Sequence, residues 1–94
     1  MRESINEAST DVVTGNHQVA VVRQGNVVWS GSNWIFHDVD DPALGPDWIL
    51  INEPIDQLQQ GDSVKVSQLG PDNATFNGQV VSVNSNSVQI DFTE

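Results

Sequence analysis

The feature that most constrains this chain is the period-two alternation in its last third. Asp62-Ser63-Val64-Lys65-Val66-Ser67 puts Val64 and Val66 on one side, and Ser87-Val88-Gln89-Ile90-Asp91-Phe92 does the same with Val88, Ile90 and Phe92. Successive side chains of a strand point to opposite faces, so this pattern buries one side of a β-sheet and wets the other. Between the two runs, Thr75 to Val83 reads as a further strand, with Gly78 marking a bulge or sharp bend. Gly70-Pro71-Asp72-Asn73 and Asn84-Ser85-Asn86 supply the turns.

Upstream the alternation is lost, but the strand character is not. His17 to Arg23 is rich in β-branched residues, Gln24-Gly25-Asn26 turns, and Val27 to Ser30 follows. Gly31-Ser32 then turns into Asn33-Trp34-Ile35-Phe36-His37, and the three strands read as a meander. Both faces of these strands are apolar, as are those of Trp48-Ile49-Leu50-Ile51-Asn52. Sheets open to water on one side alternate, so both faces are expected to find cover, a partner subunit being one source. Residues 38–47 form the longest loop, closed to regular structure by Pro42, Gly45 and Pro46. Pro54 to Gln60 reads as a short helical turn, with Asn52 or Glu53 as cap and Gly61 as stop. Residues 1–16 are polar and without useful period, although Ser4 and Glu7 fit a weak capping box.

The expected fold is therefore all-β: a small, partly open barrel of six or seven short antiparallel strands with one short helical turn near 54–60. Residues 1–16 are read as a flexible N-terminal arm and residues 17–94 as a single β-barrel domain. The stretch from Ile55 to Phe92 also resembles the small SH3-like barrels of the Tudor and KOW kind. Leu58, Gly61-Asp62-Ser63-Val64-Lys65-Val66, Gly78-Gln79-Val80-Val81-Ser82-Val83 and Val88-Gln89-Ile90-Asp91-Phe92 carry the likeness. What it implies is fold, because function lives in sites and not in strand patterns. Tudor domains capture methylated Lys or Arg in an aromatic cage near the first hairpin. The matching position here holds Ser67-Gln68-Leu69, with Phe76 nearby and no tyrosine in the chain. KOW-type domains bind RNA through basic loops, which this chain lacks.

Composition narrows the function. The 94 residues suit one domain with one modest core. With no cysteine, disulfides, thiol nucleophiles and Cys-type zinc sites are excluded. No apolar run approaches the roughly 20 residues that cross a bilayer, and the N-terminus has no apolar signal core, so a cytoplasmic location is expected. Thirteen acids against three bases give a net charge of -10, shared equally between the halves. Only Arg2, Arg23 and Lys65 are available to neutralise phosphate, so neither direct nucleic-acid binding nor docking on an anionic membrane is expected.

Chemistry-bearing constellations are few. Asp38-x-Asp40-Asp41 offers hard oxygen donors but fails as a calcium loop, with Pro42 at the fifth position and Ile49 at the twelfth. A solvated loop is expected instead, and no metal or cofactor. Trp34, Phe36 and Trp48 flank that loop, and aromatic rings beside carboxylates attract cations. The competing reading is that these rings fill the core, since only six aromatic residues exist to build it. His17 and His37 face no nucleophile motif, no phosphate-binding glycine pattern occurs, and no catalytic residue is assigned. The expected function is a non-enzymatic protein–protein interaction or assembly subunit, of the kind small viral or bacterial proteins provide, forming a homo-oligomer or binding a protein partner. The alternative is an acidic module or inhibitor that docks on a basic, nucleic-acid-binding protein surface. Trp34, Phe36, Asp38, Asp40, Asp41 and Trp48 form the expected partner-binding surface.

Overall fold

In the computed structural model, which describes residues 10–14, 18–39, 41, 43, 45–69 and 73–93, eight strands form one antiparallel sheet. They are β1 (Thr10–Thr14), β2 (Gln18–Arg23), β3 (Asn26–Gly31), β4 (Trp34–Val39), β5 (Trp48–Ile51), β6 (Ser63–Leu69), β7 (Thr75–Val83) and β8 (Val88–Phe92). The order β1-β4-β5-β8-β7-β6-β2-β3 curls into an open half-barrel. Strands β2 to β8 match the expected six or seven, and β1 adds an eighth within the stretch read as an arm. Residues 1–9 and 15–17, which hold the Ser4 capping box and His17, lie outside the described residues, as do residues 70–72 of the expected turn. No helix among the described residues is long and apolar enough to cross a membrane.

One long hairpin supplies both ends of this sheet. At its tip Arg23 pairs with Asn26; thirteen residues back on one arm and thirteen forward on the other, Thr10 pairs with Val39. Its tip half, β2 and β3, joins the rest through β2–β6 pairing, and its base half, β1 and β4, joins through β4–β5 pairing. The meander read from the sequence is thus corrected. Strand β3 does not turn back to pair with β4 but runs on into it through Ser32 and Asn33. Two linking residues span roughly 10 Å at most, so the two ends of the sheet must meet at this corner. The hairpin loop is Gln24-Gly25, both at positive φ (53° and 83°), as the two-residue turn that matches strand twist requires.

The inner face is built in cross-strand rows. Trp34, Ile51, Val88 and Val83 form one, Phe36, Ile49, Ile90 and Val80 a second, and Phe76, Val66, Val21 and Trp29 a third. Ile51, Ile90, Val21, Val80 and Val88 are almost wholly buried. Each such side chain contributes about 2 kcal/mol through burial. A bulge opposite Val21 and Val22 lets the adjacent Val28 and Trp29 both pack on the core, which explains part of the two-sided apolar pattern.

One end of the half-barrel is plugged by the segment between β5 and β6. The helical turn expected near 54–60 takes the form of two successive turns, closed by Leu58 N–H to Ile55 O and by Asp62 N–H to Gln59 O. They bury Ile55 and Leu58 in the core. Arg23 holds the plug by donating to Gln57 O at 2.7 Å and pairing with Asp62 at 3.3 Å, while Trp29 Nε1 donates to Glu53 at 2.8 Å. The ion pair is partly exposed and worth under about 1 kcal/mol, so the plug rests mainly on its two apolar side chains.

Gly78 marks a close approach, not the bulge. The register slips at Val81, while a Cβ on Gly78 would lie 2.6 Å from Ile90 Cγ2 and 3.0 Å from the Asp91 carbonyl oxygen. Gly78→Ala is expected to lose about 1–3 kcal/mol, read as a lower urea midpoint with an unchanged far-ultraviolet spectrum.

Candidate functional site

Strand parity decides where the expected site residues go. On β4, Trp34 and Phe36 point inward with the core and Ile35 and His37 point outward, while Asp38, on the inward parity, and Val39, on the outward one, are both buried at the strand's end. On β5, Ile49 and Ile51 are inward, leaving Trp48 and Leu50 outward. The structure therefore brings Trp34, Phe36 and Asp38 to one face and places Trp48 on the other. Asp40 lies outside the described residues.

The inward group is largely core. Trp34 and Phe36 are half-buried and pack against the apolar cluster. Phe36 and Phe76 flank Phe92, with ring centroids 5.7 Å and 5.3 Å from it. Asp38 is 4% exposed, which withdraws it from the loop surface where a solvated cation would need it. Asp41 is exposed, and its carboxylate accepts from Ala43 N–H at 3.0 Å, a local turn. Asp47 does structural work that its sequence position did not advertise. Its Oδ1 accepts from Val39 N–H and its carbonyl from Phe92 N–H, both at 2.8 Å, so it ties the loop to the ends of β4 and β8. Among the described residues, no three His, Asp or Glu side chains are grouped to hold a metal ion.

The outward group forms a different surface. Ile35 pairs with Leu50 and His37 with Trp48, and the two rings of the second pair lie 4.3 Å apart. One strand further on, the same rows turn polar: Leu50 meets Gln89, and Trp48 meets Asp91. Beyond them lie Ser82 and Gln79 on β7. Along these rows the outer face is apolar on β4 and β5 and polar on β8 and β7, and it turns apolar again at Leu69 on β6 and at Val22 and Val27 on β2 and β3. Leu50 went unread as part of a surface, although its alternation with Ile49 and Ile51 was present in the sequence.

A separate groove of about 600 Å³ crosses the outer face of β6 and β7, lined by Ser63, Lys65, Asn77, Gln79 and Thr93 among others. Its one titratable side chain is Lys65, so it offers no acid–base pair.

Both ring nitrogens of His37 are buried, and neither has a hydrogen-bond partner among the described residues. A buried donor left unmet costs about 1–3 kcal/mol. His37→Phe keeps the ring contact and removes the polar atoms, so it is expected to leave stability unchanged or raise it by about 1 kcal/mol. A loss of more than that in urea denaturation would mean the imidazole is hydrogen-bonded in solution.

A scan against protein-family models finds none that matches this chain, and searches of the curated proteins and of the solved structures find no match either.

Proposed function

We propose that this protein is a non-enzymatic assembly module that associates with itself through the outer face of β4 and β5. The observation that carries the reading is the change in that face's character: Ile35, His37, Trp48 and Leu50 stand together, and the rows they begin end in Gln89, Asp91, Ser82 and Gln79. All four side chains are half-buried, and the apolar area they leave in reach of solvent favours contact with another surface. Trp48 is the natural anchor, being the largest of the four and amphipathic at its ring nitrogen.

The SH3-like character of residues 55–92 belongs to the same proposal. The inward valines of β6 and β7, the left-handed Gly61 (φ 96°) and the clean alternation of β8 support it. The alternative function, docking on a basic protein surface from the cytoplasm, is supported by the net charge of -10. Unlike self-assembly, it leaves the isolated protein monomeric.

Light scattering across a concentration series tests the reading. The expected result is a mass above the 10.2 kDa of one chain that grows with concentration. Leu50→Asp, which sets a carboxylate in the patch without touching the inner core, is expected to return the protein to a monomer and to weaken association at least about tenfold. A monomer at every concentration, or an oligomer indifferent to Leu50→Asp, would overturn it.

A further inference from the structure

The groove on the outer face of β6 and β7 is charged oppositely to the rest of the molecule. Thirteen acids give the chain a net charge of -10, yet among the described residues no Asp or Glu lines this groove. Its charged side chain is Lys65, which stands in register between Val22 on β2 and Asn77 on β7. Lys65 has no ion-pair partner among the described residues, whereas Arg23 is committed to Asp62. An ammonium left without a carboxylate in so acidic a chain is a local preference for an anion.

The groups around Lys65 set what else a ligand must carry. Ser63 pairs with Gln79, and Thr93 N–H donates to Asn77 O at 2.9 Å, which sets Thr93 beside Asn77. Gln24, in the loop of the long hairpin, flanks β6 on its other side. Gln79 Nε2 donates to Gly61 O at 3.4 Å, while the side chains of Gln24, Ser63, Asn77 and Thr93 make no hydrogen bond to any described residue. Amides and hydroxyls both donate and accept, so this set matches a ligand rich in hydroxyls. The volume of about 600 Å³ lies within the roughly 300–1,000 Å³ of small-molecule sites.

Other ligand chemistries fit the groove less well. A cation would meet Lys65 and no carboxylate. Phosphate is held best by Arg forks or a helix N-terminus, and the described lining supplies neither. Its second charge is also repelled more strongly by the acidic chain than a single carboxylate is. A neutral sugar would lack a ring to stack on, because none of the described lining residues is aromatic.

We propose that this groove binds a sugar acid of the uronate class, its carboxylate on Lys65 and its hydroxyls on Gln24, Ser63, Asn77 and Thr93. The site is separate from the assembly surface on β4 and β5, and neither reading depends on the other.

Amide shifts of the full chain titrated with sodium glucuronate test this. The expected result is saturation at roughly millimolar concentration, with shifts centred on Ser63, Lys65, Asn77 and Gln79. Glucose has the hydroxyls without the carboxylate and acetate the carboxylate without the hydroxyls, so each is expected to bind at least about tenfold more weakly. The glucuronate affinity is expected to fall severalfold between about 0.05 M and about 0.5 M NaCl. Lys65→Gln changes an exposed side chain, keeps the spectrum of the folded protein, and is expected to weaken binding at least about fivefold. Glucuronate that binds no better than acetate, or a Lys65→Gln variant that binds it as the wild type does, would overturn the site, as would shifts centred elsewhere or no saturation. A tri-galacturonate that binds more tightly than the monomer supports the site and assigns its ligand to a polysaccharide; equal affinity supports it with a free sugar acid.

Discussion

The pairing of β1 with β4 and of β2 with β3 carries a demand that no other part of the sheet makes. Because the tip half of this ribbon binds β6 and its base half binds β5, the remaining strands have to bridge the distance from one half back to the other. Strands β5, β8, β7 and β6 do so in an unbroken antiparallel run. Curvature of the half-barrel is thus imposed by chain connection, with twist and packing filling in the detail.

The corner where the ribbon bends shows how the residues accommodate that demand. Gly31 ends β3 with the Trp29 ring folded over it, so close that a Cβ there would lie 2.9 Å from Trp29 Cζ2. Two residues on, Asn33 exchanges hydrogen bonds with Asn52: its carbonyl accepts from Asn52 N–H at 2.8 Å, and its side-chain amide donates to Asn52 O at 3.0 Å. The bend is therefore lined by a ring on one strand and pinned to the exit of β5 on the other. From there the chain enters the plug, where Glu53 accepts from Trp29 Nε1 and Ile55 and Leu58 join the core against which Trp29 packs.

Much of the architecture was legible from alternation alone. Strands β6 and β8 lie where period-two runs put them, because each has one face in the core, and β7 lies between the turn residues that bound it; β5 was legible as a short apolar run without alternation. Strand β1 was not legible. Thr10-Asp11-Val12-Val13-Thr14 is short and polar at its edges, and its strand conformation comes from pairing with β4. Local propensity carries little of that information. The meander failed for a related reason: Gly31-Ser32 looks like a reversing turn, and only the distant pairing of β4 with β5 reveals that the chain continues forward. At the site, grouping Trp34, Phe36 and Trp48 by proximity in sequence overlooked parity. A single residue of offset between β4 and β5 sends Trp48 outward, and the loop between them hides that offset. Gly78 was seen as special, but the reason, contact with Ile90 across the strand pair, needed three dimensions.

A ribbon fastened at both ends of a sheet also couples those ends. Peeling β2 away from β6 pulls on β3, and β3 is joined by two residues to β4, which holds β5. Neither flank can fray far without loading the other through covalent bonds. Partial opening is then disfavoured relative to wholesale loss of the sheet, so hydrogen exchange in the two flanks should rise together under denaturant. In so small a domain, shared protection of this kind limits how long any single strand edge stands exposed to a neighbouring chain.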